Sequence, residues 1–359
     1  MTRLARLQAA LAEADHAALL IQHATNISYL TGFTGSTAAL LVTPEQTLFL
    51  TDGRYRQQAE RECGALDRRL VEAAIGYPKS IAEAAGALGL DELTVEAEYT
   101  TCTALAELRD ARQDWNLLPA PSLVQPLRRI KDPDELSILR RACSLADRAF
   151  DYILTRLRPG VQEREAALDL EFWMRREGAE AAAFEIIVAS GPRSALPHGR
   201  ASERRLEPGD FITMDFGARL EGYNSDLTRS VVLGPASSRQ REVYDALLAA
   251  QVAALGAIRA GVDGKAVDAL VRERLKEQDL DQYFTHSLGH GLGRDVHESP
   301  PLLSPRTSCI LSPGHVVTVE PGVYVEGWGG IRIEDDVVVT ETGCEVLTHA
   351  PKSLLELPL

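Results

Sequence analysis

The stretch FITMDFGARLEGYNSDLTRSVV, residues 211–232, decides the reading of the larger half of this chain. Ile212, Met214 and Phe216 alternate with Thr213, Asp215 and Gly217, a period of two that predicts a half-buried strand. After a turn at Glu221-Gly222, a return strand carries Asp226, Thr228 and Ser230 on one side and Leu227, Arg229 and Val231 on the other. A hairpin centred between Leu220 and Glu221 sets Asp215 opposite Asp226 on one face. Two like charges so placed destabilise a hairpin unless a cation lies between them or one is protonated. The hairpin taken alone is equally consistent with a solvent-facing edge bearing two unrelated acids.

The segment 315–340 repeats the pattern. Val316, Thr318 and Glu320 share a face, and Arg332 and Glu334 return after Gly327, Gly329 and Gly330. A hairpin centred on Gly327 opposes Glu320 to Glu334. With helical spacing at 239–260 and 264–278 between the two strand-rich segments, this is a weak internal repeat of α+β character. Between them, Thr285-His286-Ser287-Leu288-Gly289-His290-Gly291 places an imidazole among glycines, where backbone can approach a ligand closely. A lone histidine is more often structural than a ligand. Two flanking carboxylate pairs reverse that weight.

Four carboxylates and a neutral imidazole balance the charge of two divalent cations. An oxygen-rich set with one histidine suits Mn²⁺ first, with Co²⁺, Fe²⁺ or Zn²⁺ as alternatives, and does not resemble a structural zinc site of Cys and His. Two such ions lower the pKa of a shared water and polarise a carbonyl, which is hydrolytic chemistry. Gly289, Gly291 and Gly293 have the spacing of a phosphate loop but follow no clear strand, so they read as a metal loop. H-E-x-x-H, G-x-S-x-G and G-x-x-x-x-G-K-[ST] patterns do not occur.

The 359 residues predict two domains. In the first third, Leu4, Leu7, Leu11 and Ala14 keep helical spacing, and 38–42 and 47–51 read as strands of an α/β unit without a dinucleotide fingerprint. Prolines 119, 121, 126 and 133 with Arg128, Arg129 and Lys131 mark a boundary, placing the domains at 1–122 and 123–359. Asp132-Pro133-Asp134-Glu135 is a capping box that opens a long helix, with helical spacing kept to Leu157 and a stop at Pro159-Gly160. Two further helices are expected before the first strand-rich segment. A net charge of −14 and a pI of about 5.1 argue against a nucleic-acid partner. Five scattered cysteines predict no disulfide frame and buried, reduced thiols. Neither a signal-peptide core nor a membrane span is found, so a cytoplasmic location is expected.

MDFGARLEGYNSDLTRS, HSLGHGLGRDVHE, VEPGVY and GIRIEDD closely resemble segments of the Xaa-Pro peptidases, the prolidase and aminopeptidase P family. The likeness extends to LRRIKDPDELSILRRA, SGPRSALPHG, ISYLTGF and TDGRY, and so spans both domains. It implies a creatinase-like α/β N-terminal domain and a catalytic domain of the pita-bread fold shared with methionine aminopeptidase. It further implies that Asp226 and Glu334 bridge two metals, that Asp215 chelates one, and that His290 and Glu320 hold the other. Glu320 would also shuttle a proton. His198 and His297 match histidines that contact substrate and stabilise the tetrahedral intermediate, and Arg332 matches an arginine supporting the metal site. His286 either lines the proline pocket or satisfies a local hydrogen bond.

The family's homodimers bring one subunit's N-terminal domain near the other's active site, a contact for which Gly32-Phe33-Thr34-Gly35-Ser36 is suited. Where many prolidases read H-E-x-P-R, this chain has His297-Glu298-Ser299-Pro300-Pro301. Pro301 supplies no cation for a dipeptide's carboxylate, although Arg54, Arg193, Arg200 or Arg294 could substitute. The expectation is therefore an aminopeptidase that removes the residue before proline from peptides, with the Xaa-Pro dipeptidase as the alternative. Binding modules and C–N hydrolases on the same fold are further alternatives, which retention of all five ligands disfavours.

Overall fold

Leu19–Ile21 is buried on both faces, as a strand must be when helices cover the two sides of its sheet. It pairs antiparallel with Ala39–Val42 and parallel with Glu92–Glu96. These strands lie inside a six-stranded mixed sheet completed by Thr47–Asp52, Asp67–Val71 and Asn116–Ala120. Leu19, Ile21, Leu40 and Val42 pack on one face with Leu7, Leu11 and Ile27, and Leu20, Leu41 and Leu50 pack on the other with Ile81, Ala85 and Leu108. The computed structural model describes residues 1–64, 66–71 and 74–359. Its chain divides into two units, Met1–Arg128 and Arg129–Leu359. Relative to the division expected after residue 122, the helix Val124–Arg129 follows directly; Val124 is buried in the first unit's core, and Arg128 Nη1 donates to Asn26 Oδ1 at 2.7 Å.

The second unit opens on the capping box. Asp132 Oδ1 accepts from Glu135 N and Glu135 Oε2 accepts from Asp132 N, both at 2.9 Å, with Pro133 in the first turn. The helix runs Pro133–Leu154, ending before the expected stop, while Leu157 is still buried against the same core. One helix, Glu163–Arg176, and the strand Ile187–Ser190 then stand where two helices were expected. Ile187–Ser190, Phe211–Phe216, Leu227–Leu233 and Glu356–Leu357 form a four-stranded sheet. Glu298–Leu303, Gly289–Gly291, Val316–Val319, Asp335–Val339 and Cys344–Val346 form a five-stranded one. The helices Ser238–Ala257 and Gly264–Lys276 share a core with Val317, Val319 and Val337. The five cysteines are unpaired; Cys63 and Cys143 are buried as expected, whereas Cys102 is exposed. Among the described residues no helix is long and apolar enough to cross a membrane.

Candidate metal centre and its cavity

Glu221 and Gly222 both have positive φ, 49° and 77°, the two-residue hairpin loop whose twist matches its strands. Leu220 therefore faces Tyr223, and the pairing continues with Phe216 opposite Leu227 and Asp215 opposite Thr228. The expected register is corrected by two residues. Since side chains alternate with a period of two, Asp226 still shares the face of Asp215, as a diagonal neighbour. The ladder is interrupted at Gly217, where a Cβ would lie 1.8 Å from Ser225 O, and Asp226 stands in that interruption. In the second hairpin Val319 faces Asp335 and Gly322 faces Arg332. Glu320 and Glu334 thus oppose one another at the gap between two ladders, in the expected register.

Gly289–Gly291 is a strand, not a loop, and it has a neighbour on each side. A Cβ at Gly289 would lie 1.9 Å from Thr318 O and one at Gly291 2.3 Å from Glu298 O, so only glycine fits on either side of His290. His290 Nδ1 lies 3.1 Å from Gly291 O, which can only accept. The proton therefore resides on Nδ1, and Nε2 presents a lone pair. That Nε2 is 3.6 Å from Asp226 Oδ2 and 3.5 Å from Glu320 Oε1. Asp226, His290 and Glu334 offer ligand atoms that all lie within 4.8 Å of one another.

Few cationic groups oppose this charge. Arg332 Nη2 donates to Asp215 Oδ2 at 2.6 Å, while the buried Oδ1 has no hydrogen-bond partner among the described residues. Burial, then Glu334 and Asp215, push the Asp226 carboxyl far above the usual range; burial, then Glu320 and Asp215, do the same to Glu334. Burial lifts Glu320 to about 8 and lowers His290 to about 4, so the imidazole is neutral at pH 7. Buried acids that repel one another beside an unprotonated imidazole, with an unpartnered carboxylate oxygen, fit divalent cations.

A prediction follows for the metal-free protein. Glu320's pKa is raised from 4.5 to about 8, so its contribution to stability is complete below 4.5 and is lost as pH rises through 8. His286 and His290, lowered from 6.5, are neutral in both states above that pH and leave the window 6.5–8 to the carboxylates. Metal-stripped protein should lose stability there by roughly 1 kcal/mol per pH unit. Saturating Mn²⁺ should flatten the dependence, as read by thermal denaturation; a metal-free protein equally stable at both ends of the window would contradict the assignment.

All five acids and histidines line a cavity of about 810 Å³, together with His198, His286, His297, Arg332, Phe184 and Ile187. The His290 and His297 ring centroids are 4.1 Å apart. His286 uses both nitrogens locally, Nδ1 toward Ser287 O at 2.8 Å and Nε2 toward Tyr324 Oη at 2.9 Å. It also lines the cavity, and its two local hydrogen bonds match one of the two roles open to it.

Sequence reading missed the partners that hold these groups. Thr228 Oγ1 donates to Glu334 Oε2 at 2.6 Å, Asp336 Oδ2 accepts from Asp226 N at 2.8 Å, and Tyr324 Oη accepts from Arg332 Nη1 at 2.7 Å. Thr228 had a signal, since it alternates with the acids on their face; Asp336 and Tyr324 had none beyond proximity in sequence.

Residues 137–341 match metallopeptidase family M24, and residues 3–130 match the creatinase/prolidase N-terminal domain. The chain belongs to metallopeptidase family M24. Among similar solved structures, an Xaa-Pro dipeptidase from Bacillus anthracis is 41% identical with a TM-score of 0.94 over 99% of both chains. An X-Pro aminopeptidase from Thermotoga maritima MSB8 is 39% identical, with a TM-score of 0.89 over 95% of this chain and 97% of its own. An Xaa-Pro dipeptidase from Pyrococcus furiosus is 44% identical over 233 residues, 65% of this chain and 67% of its own. This M24 metallopeptidase thus has the creatinase-type α/β unit followed by the pita-bread catalytic unit.

Proposed function

We propose that this M24 metallopeptidase is an Xaa-Pro dipeptidase that works with two divalent cations, Mn²⁺ first among them, held by Asp215, Asp226, His290, Glu320 and Glu334. The observation that carries the reading is the convergence of these five side chains, rich in buried negative charge, on one cavity. Cations held there would supply a nucleophile at neutral pH and polarise the scissile carbonyl. Glu320, ionised when it holds a cation, would take the proton released by the attacking water and pass it to the proline nitrogen, which must gain one to leave. His198 and His297 donate to the oxygen on which charge develops. Arg332 orients Asp215 and also reaches Thr228 Oγ1 at 3.0 Å and Pro197 O at 3.2 Å. A homodimer is proposed with it.

Pro301 favours an aminopeptidase, whereas the names of most of the similar proteins favour the dipeptidase. Of the four arginines that could substitute, Arg54 is paired with Asp52, Arg193 is paired with Glu163, Arg294 lies over the Tyr223 ring, and Arg200 reaches the cavity but is paired with Glu185 at 3.0 Å. Arg306 is a fifth candidate. It lines the cavity and makes no ion pair among the described residues, so it is available for a dipeptide's carboxylate.

Arg306→Ala should lower kcat/KM for an Xaa-Pro dipeptide about tenfold or more, mainly through KM, a difference of about 1.4 kcal/mol. Hydrolysis of the matching Xaa-Pro-Xaa tripeptide should change by less than about twofold, because its neutral amide leaves that charge unused. Tripeptides preferred by the wild type, with Arg306→Ala silent on both substrates, would restore the aminopeptidase reading.

A further inference from the structure

The loop that carries His198 begins after Ser190, the last residue of its strand, and runs to Ser202. Both ends meet one side chain. Glu163, fully buried, accepts at Oε1 from Ser190 N at 2.8 Å and Ser190 Oγ at 2.7 Å. Its Oε2 accepts from Ser202 N at 3.0 Å, from Ser202 Oγ at 2.6 Å, and from Arg193 Nη1. Arg193 then continues across the neck, its Nη2 donating to Arg200 O at 2.9 Å.

A buried carboxylate is tolerated only when its oxygens are fully paired, and five donors do that here. Glu163 is not needed to cap its own helix, because Glu165 Oε2 already accepts from Gln162 N at 2.9 Å. The far side of the loop is fixed to the second hairpin, with Gly330 N donating to Ser194 Oγ at 2.8 Å and Arg332 Nη1 to Pro197 O. The placement of His198 is thus set by the strand that leads to Glu334, by the backbone bridge between Arg200 and Ile187, and by the neck closed by Glu163.

We propose that Glu163 is a positioning residue for His198, closing the neck of the 191–201 loop so that the imidazole is held at the cavity. This rests on the transition-state role given to His198 above. Gln at 163 keeps the volume but gives up the charge and turns one acceptor into a donor facing donors, which opens the neck. Displacement of a catalytic group by about 1 Å can reduce rates by about 10²-fold.

The test is a double-mutant cycle with Glu163→Gln and His198→Ala, measuring kcat and KM on an Xaa-Pro dipeptide and Mn²⁺ bound per chain. Glu163→Gln should lower kcat about tenfold or more at unchanged metal content, yet cause little further loss in the His198→Ala background. An equal loss in both backgrounds, or a wild-type kcat for Glu163→Gln, would overturn the proposal. If His198→Ala alone runs at the wild-type rate, the role of His198 fails and the proposal falls with it. Should Glu163→Gln not fold, Ser202→Ala, which removes a single donor from the same neck, enters the same cycle, with a smaller loss expected and the same non-additivity required.

Discussion

Asp226→Asn and Glu334→Gln are each expected to reduce Xaa-Pro hydrolysis by at least about 10³-fold, equivalent to about 4 kcal/mol of transition-state stabilisation. The same substitutions should leave less metal bound per chain, because the family resemblance implies that each acid contacts both cations at once. The amides preserve shape. Asp226 N can still donate to Asp336, and an amide oxygen at 334 can still accept from Thr228. Both acids are pushed strongly toward their neutral forms in the metal-free protein, so a neutral amide replaces either of them there without a charge penalty. Metal-free variants should therefore melt at or above the temperature of metal-free wild type at pH 8. That separates lost chemistry from lost folding: full activity and wild-type metal content in either variant would remove it from the ligand set.

His198→Ala should lower kcat by about 10²-fold to 10³-fold while metal content stays at the wild-type value, the scale seen for loss of one group that stabilises developing oxyanion charge. His198 is exposed at the cavity wall and does not belong to the Asp226, His290 and Glu334 cluster. Loss of metal in this variant would make His198 a ligand, and a wild-type rate would leave it a loop residue.

The two hairpins mark how much of this was legible in the sequence. Alternation gave the correct face for Asp215, Asp226, Glu320 and Glu334, because a register error of two residues does not change sides. It did not give the register of the first hairpin. That depends on a loop in which Glu221, not only Gly222, adopts positive φ, and non-glycine residues rarely do so. The glycines around His290 look like a loop in the sequence because a strand is normally recognised by its side chains. Here backbones pack too closely for any Cβ, and the strand is visible only once Thr318 and Glu298 are beside it. Arg306 escaped for a related reason. It lies in a segment without periodicity, and what brings it to the cavity is the fold of the chain after Glu298–Leu303. Buried supports such as Glu163 and Asp336 carry no sequence signature, since their meaning lies in partners distant along the chain.

Whether paired cations at the five-residue centre support Xaa-Pro hydrolysis is decided by titrating metal-stripped protein with Mn²⁺ while following cleavage of an Xaa-Pro dipeptide. Negligible cleavage is expected without metal, with a rate that saturates at two ions per chain. Full activity in the stripped protein, or saturation at a single ion, would rule out hydrolysis by paired cations.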